Sequence, residues 1–139
     1  MCLKNATPCD GKGNIVGYKV LARNGKGQFT SIVDRNYVYM IGPDYVNYAK
    51  GELEYVRQQV RKGALFMFKE KKDASFYLRL LQQNTPFRYS DFFLVECLIP
   101  DDTHNVLIGE QEILIDQYGD WIDVVGYASP RLTITKVLF

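Results

Sequence analysis

Only one stretch of this chain has the wide apolar face of a packed helix, and the strand-length runs around it leave that helix a sheet to lie on. Ala74, Tyr77 and Leu81 share one side of a 3.6-residue period, Leu78 stands beside them, and Phe76 with Leu80 broadens the face. Asp73 is placed to cap the first-turn amides, and Asn84 followed by Pro86 stops the pattern, so the expected helix covers residues 73–83. A segment this short does not hold its helicity alone in water and needs a sheet to pack on.

Most of the remaining chain is cut into β-branched and aromatic runs bounded by Gly, Asn, Asp and Pro. Residues 15–22 (IVGYKVLA) and 29–33 (FTSIV) flank Asn24-Gly25, a pair suited to positive φ in a tight turn, which predicts a hairpin. Residues 37–41 (YVYMI) and 63–68 (GALFMF) are further candidate strands, and 92–99, 106–108, 113–115, 120–125 and 131–139 follow. In the last of these Leu132, Ile134 and Val137 are expected to face the core. Between them, Leu53, Val56 and Val60 stand at offsets of three and four, which predicts a short helix within residues 45–62. The expected fold class is α+β: a single domain over residues 1–139, mostly antiparallel sheet, with two packed sheets as one version of it, and one principal helix near residues 73–83.

Seventeen basic and sixteen acidic residues nearly cancel, so the long-range field that gathers nucleic acid or anionic lipid is missing. No apolar run approaches the roughly 20 residues needed to span a bilayer, and the first ten residues lack a signal-peptide core, so the expected location is cytoplasmic. Three cysteines, Cys2, Cys9 and Cys97, cannot all pair within the chain; a Cys2–Cys9 bridge stays open. His104 and these cysteines lack the paired spacing of a zinc site, and no metal is expected. Gly11-Lys-Gly13 and Gly25-Lys-Gly27 lack the spacing of a phosphate loop and are expected to be turns.

Glu110-Gln111-Glu112, set directly before Ile113-Leu-Ile115, resembles the Glu-Xaa-Glu motif of mono-ADP-ribosyltransferases. The resemblance implies an NAD-consuming enzyme in which Glu112 holds the nicotinamide ribose and stabilises an oxocarbenium-like transition state, Glu110 activates the acceptor, and Arg23 holds the cofactor phosphates. Leu65-Phe66-Met67-Phe68 stands where that family has a Ser-Thr-Ser element. The residues themselves also describe a solvated strand start: side chains two apart share a face, so Glu110 and Glu112 would lie together outside. Because that register would bury Gln111, the strand is expected to begin after it.

Aromatic residues interleaved with cations, as in Tyr18-Lys19 to Arg23, Arg35-Asn-Tyr37 and Phe87-Arg-Tyr89, point instead to a binding protein that needs no cofactor. Tyr18, Arg23, Arg35, Tyr77 and Arg88 are the candidate ligand-binding residues, rings to stack on a base and guanidinium groups to meet phosphate. The favoured ligand is nucleotide-like, and the concrete form is a viral or phage protein that sequesters a host immune signal, with a homo-oligomer sharing its pocket as one arrangement. A third class, an inhibitor or subunit acting by protein contact, would use the aromatic edge Tyr37-Val-Tyr39.

Overall fold

The computed structural model describes residues 3–9, 14–84, 91–116 and 118–139. In chain order its elements are β1 (Lys4–Pro8), β2 (Ile15–Arg23), β3 (Phe29–Thr30), β4 (Asn47–Tyr48), β5 (Glu54–Val56), β6 (Gln59–Lys62), β7 (Leu65–Phe68), α1 (Lys71–Asn84), β8 (Phe92–Ile99), β9 (Leu107–Leu114), β10 (Trp121–Ser129) and β11 (Arg131–Val137).

β8 is apolar at every position but Glu96, and its Leu94, Val95, Cys97 and Ile99 are buried on both faces. Such a strand belongs inside a sheet. It lies between β2 and β11 in a nine-stranded antiparallel sheet of order β1-β9-β10-β7-β2-β8-β11-β4, with β3 also on β2. The sheet curls into a half-barrel, helped by bulges in β1 and β11, and β5–β6 form a separate two-stranded sheet. The fold is α+β, with one α-helix among the described residues.

The curl separates two main apolar regions. Leu21, Met67, Cys97, Leu132 and Ile134 pack with Tyr39 in one of them. On the other face α1 covers Val20, Phe68, Leu94 and Ile113 with Ala74 and Leu78, and Phe76, Tyr77, Leu80 and Leu81 pack around them. The helical face expected from the sequence is therefore the one that is used. Asp73, expected as the cap, lies inside the first turn; the helix begins at Lys71 and the amides of Asp73 and Ala74 donate to the Glu70 carbonyl. Pro86 lies outside the described residues.

Three local expectations are corrected. Residues 45–62 hold no helix: Arg57 and Gln58 take φ of 53° and 61° and form a two-residue turn between β5 and β6. Of the three residues at helical spacing only Val60 is buried, while Leu53 and Val56 are exposed, so tertiary packing of one side chain replaced a helical stripe. The β2–β3 loop has its positive φ at Gly27, with Gly25 not among the positive-φ residues; Asn24 Oδ1 accepts from the Lys26 and Gln28 amides and builds the turn by side chain. Residues 37–41 contribute only isolated bridges, Val38 to Thr30 and Ile41 to Ile134.

The largest difference concerns β9. It is one strand through residues 107–114, so Gln111 is within it and 1% exposed. The expected strand start after Gln111 avoided burying an amide; the structure buries it and hydrogen-bonds Nε2 to the Met67 carbonyl at 3.1 Å. Gly126, opposite Gly109 on β10, makes the room: a Cβ there would stand 2.2 Å from Gln111 Nε2 and 2.9 Å from Met67 O. Gly126→Ala is expected to destabilise the protein by about 1–3 kcal/mol through overpacking. In urea unfolding, the Gly126→Ala/Gln111→Ala double variant should lose less than the sum of the single losses; strict additivity would refute the coupling.

Candidate functional site

β2 has two hydrogen-bonding edges. One pairs with β8 along residues 15–22. The other meets β7 at a single registered pair, Tyr18 opposite Phe68, and meets β3 at Ala22 and Arg23. Between those points, at Lys19, Val20 and Leu21, no described strand pairs on that edge. β2 and β7 part there, and a cleft of about 260 Å³ opens.

Parting strands leave backbone groups to be satisfied some other way. The Lys19 ammonium donates to the Phe66 carbonyl, and Gln111 donates to the Met67 carbonyl, so both side chains stand in for a missing strand. Lys19 Nζ also lies 5.5 Å from the centre of the Tyr39 ring. Among the described residues no carboxylate is within ion-pair distance of it. Burial pushes its pKa down to about 8 because the charged form has lost most of its water. The neighbouring Cys97 thiol is itself pushed up to about 12 by burial and provides no anion at neutral pH.

The walls are aromatic and the mouth is cationic. Phe66 and Phe68 come from β7, Tyr77 from α1, and Tyr37 and Tyr39 from the segment after β3. The Tyr37 and Tyr39 rings are 4.7 Å apart, and those of Phe68 and Tyr77 are 5.6 Å apart. Lys50, Arg61 and Lys62 join Lys19 on the lining, against one carboxylate, Asp34. Lys50 Nζ sits 5.4 Å from the Tyr37 ring centre, while Lys62 makes an exposed ion pair with Glu54 at 3.4 Å. The alternation of rings and cations expected from the sequence is present, carried largely by other residues.

Of the sequence-derived candidates, Tyr77 lines this cleft. Tyr18 closes the β2–β7 seam and packs with the helix-covered core. Arg23 lies over Phe29 and Phe93, at 5.0 and 5.3 Å, and its Nε donates to the Gly27 carbonyl. Arg35 stands 5.9 Å from the Phe92 ring and borders a separate shallow depression beside the β2–β3 loop. Arg88 and Cys2 lie outside the described residues. Glu110 and Glu112 have the opposite parity to Gln111 and do not line the cleft. Glu112 accepts from Lys4 at 2.8 Å, and Lys4 reaches Asp123 at 2.9 Å, a surface cluster that raises the Lys4 pKa. Tyr77 and Glu112 therefore do not converge on one site.

His104 is exposed and borders a second depression with Cys9 and Tyr55; among the described residues no cluster suits a metal ion. The edge Tyr37-Val-Tyr39 is not an open aromatic surface, since Tyr39 is buried beneath Lys19. Exposed aromatics lie elsewhere, among them Tyr45 and Tyr48, and Tyr118 and Trp121 near the β9–β10 turn. No helix among the described residues is long and apolar enough to cross a membrane.

Lys19 and Gln111 had signals in the sequence. Lys19 sits inside the aromatic-cationic run at Tyr18, but strand alternation turns it to the side opposite Tyr18. Gln111 is the polar residue whose burial made the β9 register look wrong. The comparisons add nothing to this geometry: no protein-family model, no curated protein and no solved structure matches the chain.

The lowered Lys19 pKa fixes a pH dependence. The unfolded lysine binds its proton up to about 10.5 and the folded one only up to about 8, so between those values the unfolded state holds more protons and stability rises with pH. Relative to Lys19→Met, which does not titrate, the native protein is expected to gain stability from pH 8 to 10.5. A difference in unfolding free energy that stays flat across this window would refute the assignment.

Proposed function

We propose that the protein binds, without transforming it, a small anionic ligand with an aromatic ring, and that nucleoside monophosphates are the class that fits the cleft between β2 and β7. The observation that carries this reading is Lys19: a partly enclosed cation with a ring neighbour and no carboxylate partner among the described residues. An uncompensated charge of this kind is costly in the empty protein and is relieved by an anion entering the cleft. Tyr37 and Tyr77 offer stacking faces for a base, and Lys50, Arg61 and Lys62 meet a phosphate at the mouth.

Size selects within the class. Pockets for drug-sized ligands run from roughly 300 to 1,000 Å³. A cleft of about 260 Å³ suits a mononucleotide, partly enclosed, better than a dinucleotide such as NAD. The Glu110/Glu112 pair, outside the cleft and with Glu112 tied to Lys4, supplies no support for NAD consumption. Occupancy without turnover is the chemistry of a sequestering protein, and capture of a nucleotide-derived immune signal by a viral or phage protein is one biological form of it.

Nucleoside monophosphates at millimolar concentration are expected to raise the melting temperature progressively with concentration, and to be recovered unchanged after denaturation. Isothermal titration should show affinity at least tenfold weaker in Arg61→Glu/Lys62→Glu and in Tyr77→Ala. A melting temperature indifferent to all four common monophosphates, or nicotinamide released from NAD in a Glu112-dependent manner, would overturn the reading.

A further inference from the structure

We infer that Lys19 is also an imine-forming amine, able to capture a small aromatic aldehyde that carries a phosphate or other anionic group. This rests on the cleft reading above but asks for a different chemistry of the same lysine. The geometry has three parts. First, Lys19 is the partly enclosed lysine of the lining, whereas Lys50 and Lys62 are exposed. Second, its Nζ is held at the cleft by the Phe66 carbonyl and the Tyr39 ring, without a carboxylate among the described residues to pin it as an ammonium. Third, the cleft is lined by rings that would cover an aromatic aldehyde, and the cations at its mouth would meet the anionic group.

The protonation state suits the reaction. A lysine desolvated in this way is the usual form of an amine nucleophile, because a larger fraction carries a free electron pair near neutral pH. The groups that bear on Lys19 are the Cys97 thiol on β8, Asp34 and the Tyr37 and Tyr39 phenols after β3, Lys50 after β4, Arg61 and Lys62 on β6, and the Tyr77 phenol on α1. Burial raises the pKa values of Cys97, Tyr37, Tyr39 and Tyr77, so they stay neutral at pH 8.

The reaction balances without an oxidant or reductant. The Nζ electron pair attacks the aldehyde carbon, the carbonyl oxygen takes up a proton, and the carbinolamine loses water as nitrogen gives up its second hydrogen. One aldehyde and one amine become one imine and one water. The Phe66 carbonyl loses its donor in the step, and a water entering the cleft can replace it.

Pyridoxal 5′-phosphate is the probe. Incubation with the intact chain at pH 8, then borohydride, delivers hydride to the imine carbon and a solvent proton to nitrogen and fixes the adduct as a secondary amine. Intact mass and peptide mapping are expected to show one phosphopyridoxyl group, on Lys19, at near-stoichiometric probe. Pyridoxal without the phosphate should label at least tenfold more slowly, and Arg61→Glu/Lys62→Glu should erase that preference even if Lys19→Arg proves too unstable to purify. Label spread over exposed lysines with the Lys19 peptide unmodified would overturn the inference. The two readings fail separately: nucleotide-induced stabilisation with Lys19 unlabelled removes the imine chemistry alone, while labelling confined to Lys19 sustains it even if no nucleotide stabilises the protein.

Discussion

The single residue pair between β2 and β7 governs the layout of this protein. Tyr18 opposite Phe68 is all that joins β1-β9-β10-β7 to β2-β8-β11-β4 through registered pairing along the sheet. β2 then hands its free edge to β3 at Ala22, and the residues between have strand backbone on one side only. A sheet that opens in this way must satisfy two demands at once: carbonyls need donors, and the apolar side chains of β7 need cover. α1 answers the second by packing across β7, β2 and β8. Lys19 on β2 and Gln111 on β9 answer the first by donating to the β7 carbonyls of Phe66 and Met67.

The two donors are not equivalent. Gln111 is neutral, fully buried and matched to its acceptor, with Gly126 shaped around it, so it behaves as part of the scaffold. Lys19 brings a charge to the same task, although a neutral amide would satisfy the Phe66 carbonyl at lower desolvation cost. Where a structural role can be filled by a cheaper group, the expensive one points to a second role. This departure from local consistency, set within a lining of rings and cations, is what separates the cleft from an ordinary packing gap.

How far the sequence could disclose this differs by element. The helix was legible, because six apolar residues between positions 74 and 81 admit one packed face, and so were the apolar strands β7 and β8. Residues 45–62 were not: Leu53, Val56 and Val60 fit a helical stripe, and what decides against it is a turn at Arg57-Gln58, neither of which favours positive φ. The chemistry of the site was legible as a composition of rings and cations, but only Tyr77 among the named residues lines the cleft. Arg23 and Arg35 spend their guanidinium groups on phenylalanine rings, a pairing between distant positions that no local pattern contains.

Glu110-Gln111-Glu112 shows why the remainder was hidden. Read locally, the carboxylates draw attention and the glutamine looks like a spacer. In the sheet, alternation sends the glutamates outward, where Lys4 shares itself between Glu112 and Asp123, and sends the glutamine in. An ion pair between half-exposed groups is ordinary surface chemistry and adds little stability. A buried amide facing a strand that has lost its neighbour marks the place where β2 and β7 part. Gln111 is a signal only once the partner carbonyl at Met67 is known, forty-four residues earlier in the chain. The information that locates the site is thus carried by a long-range pairing defect, and the residues that repair the defect are the ones that shape the cleft.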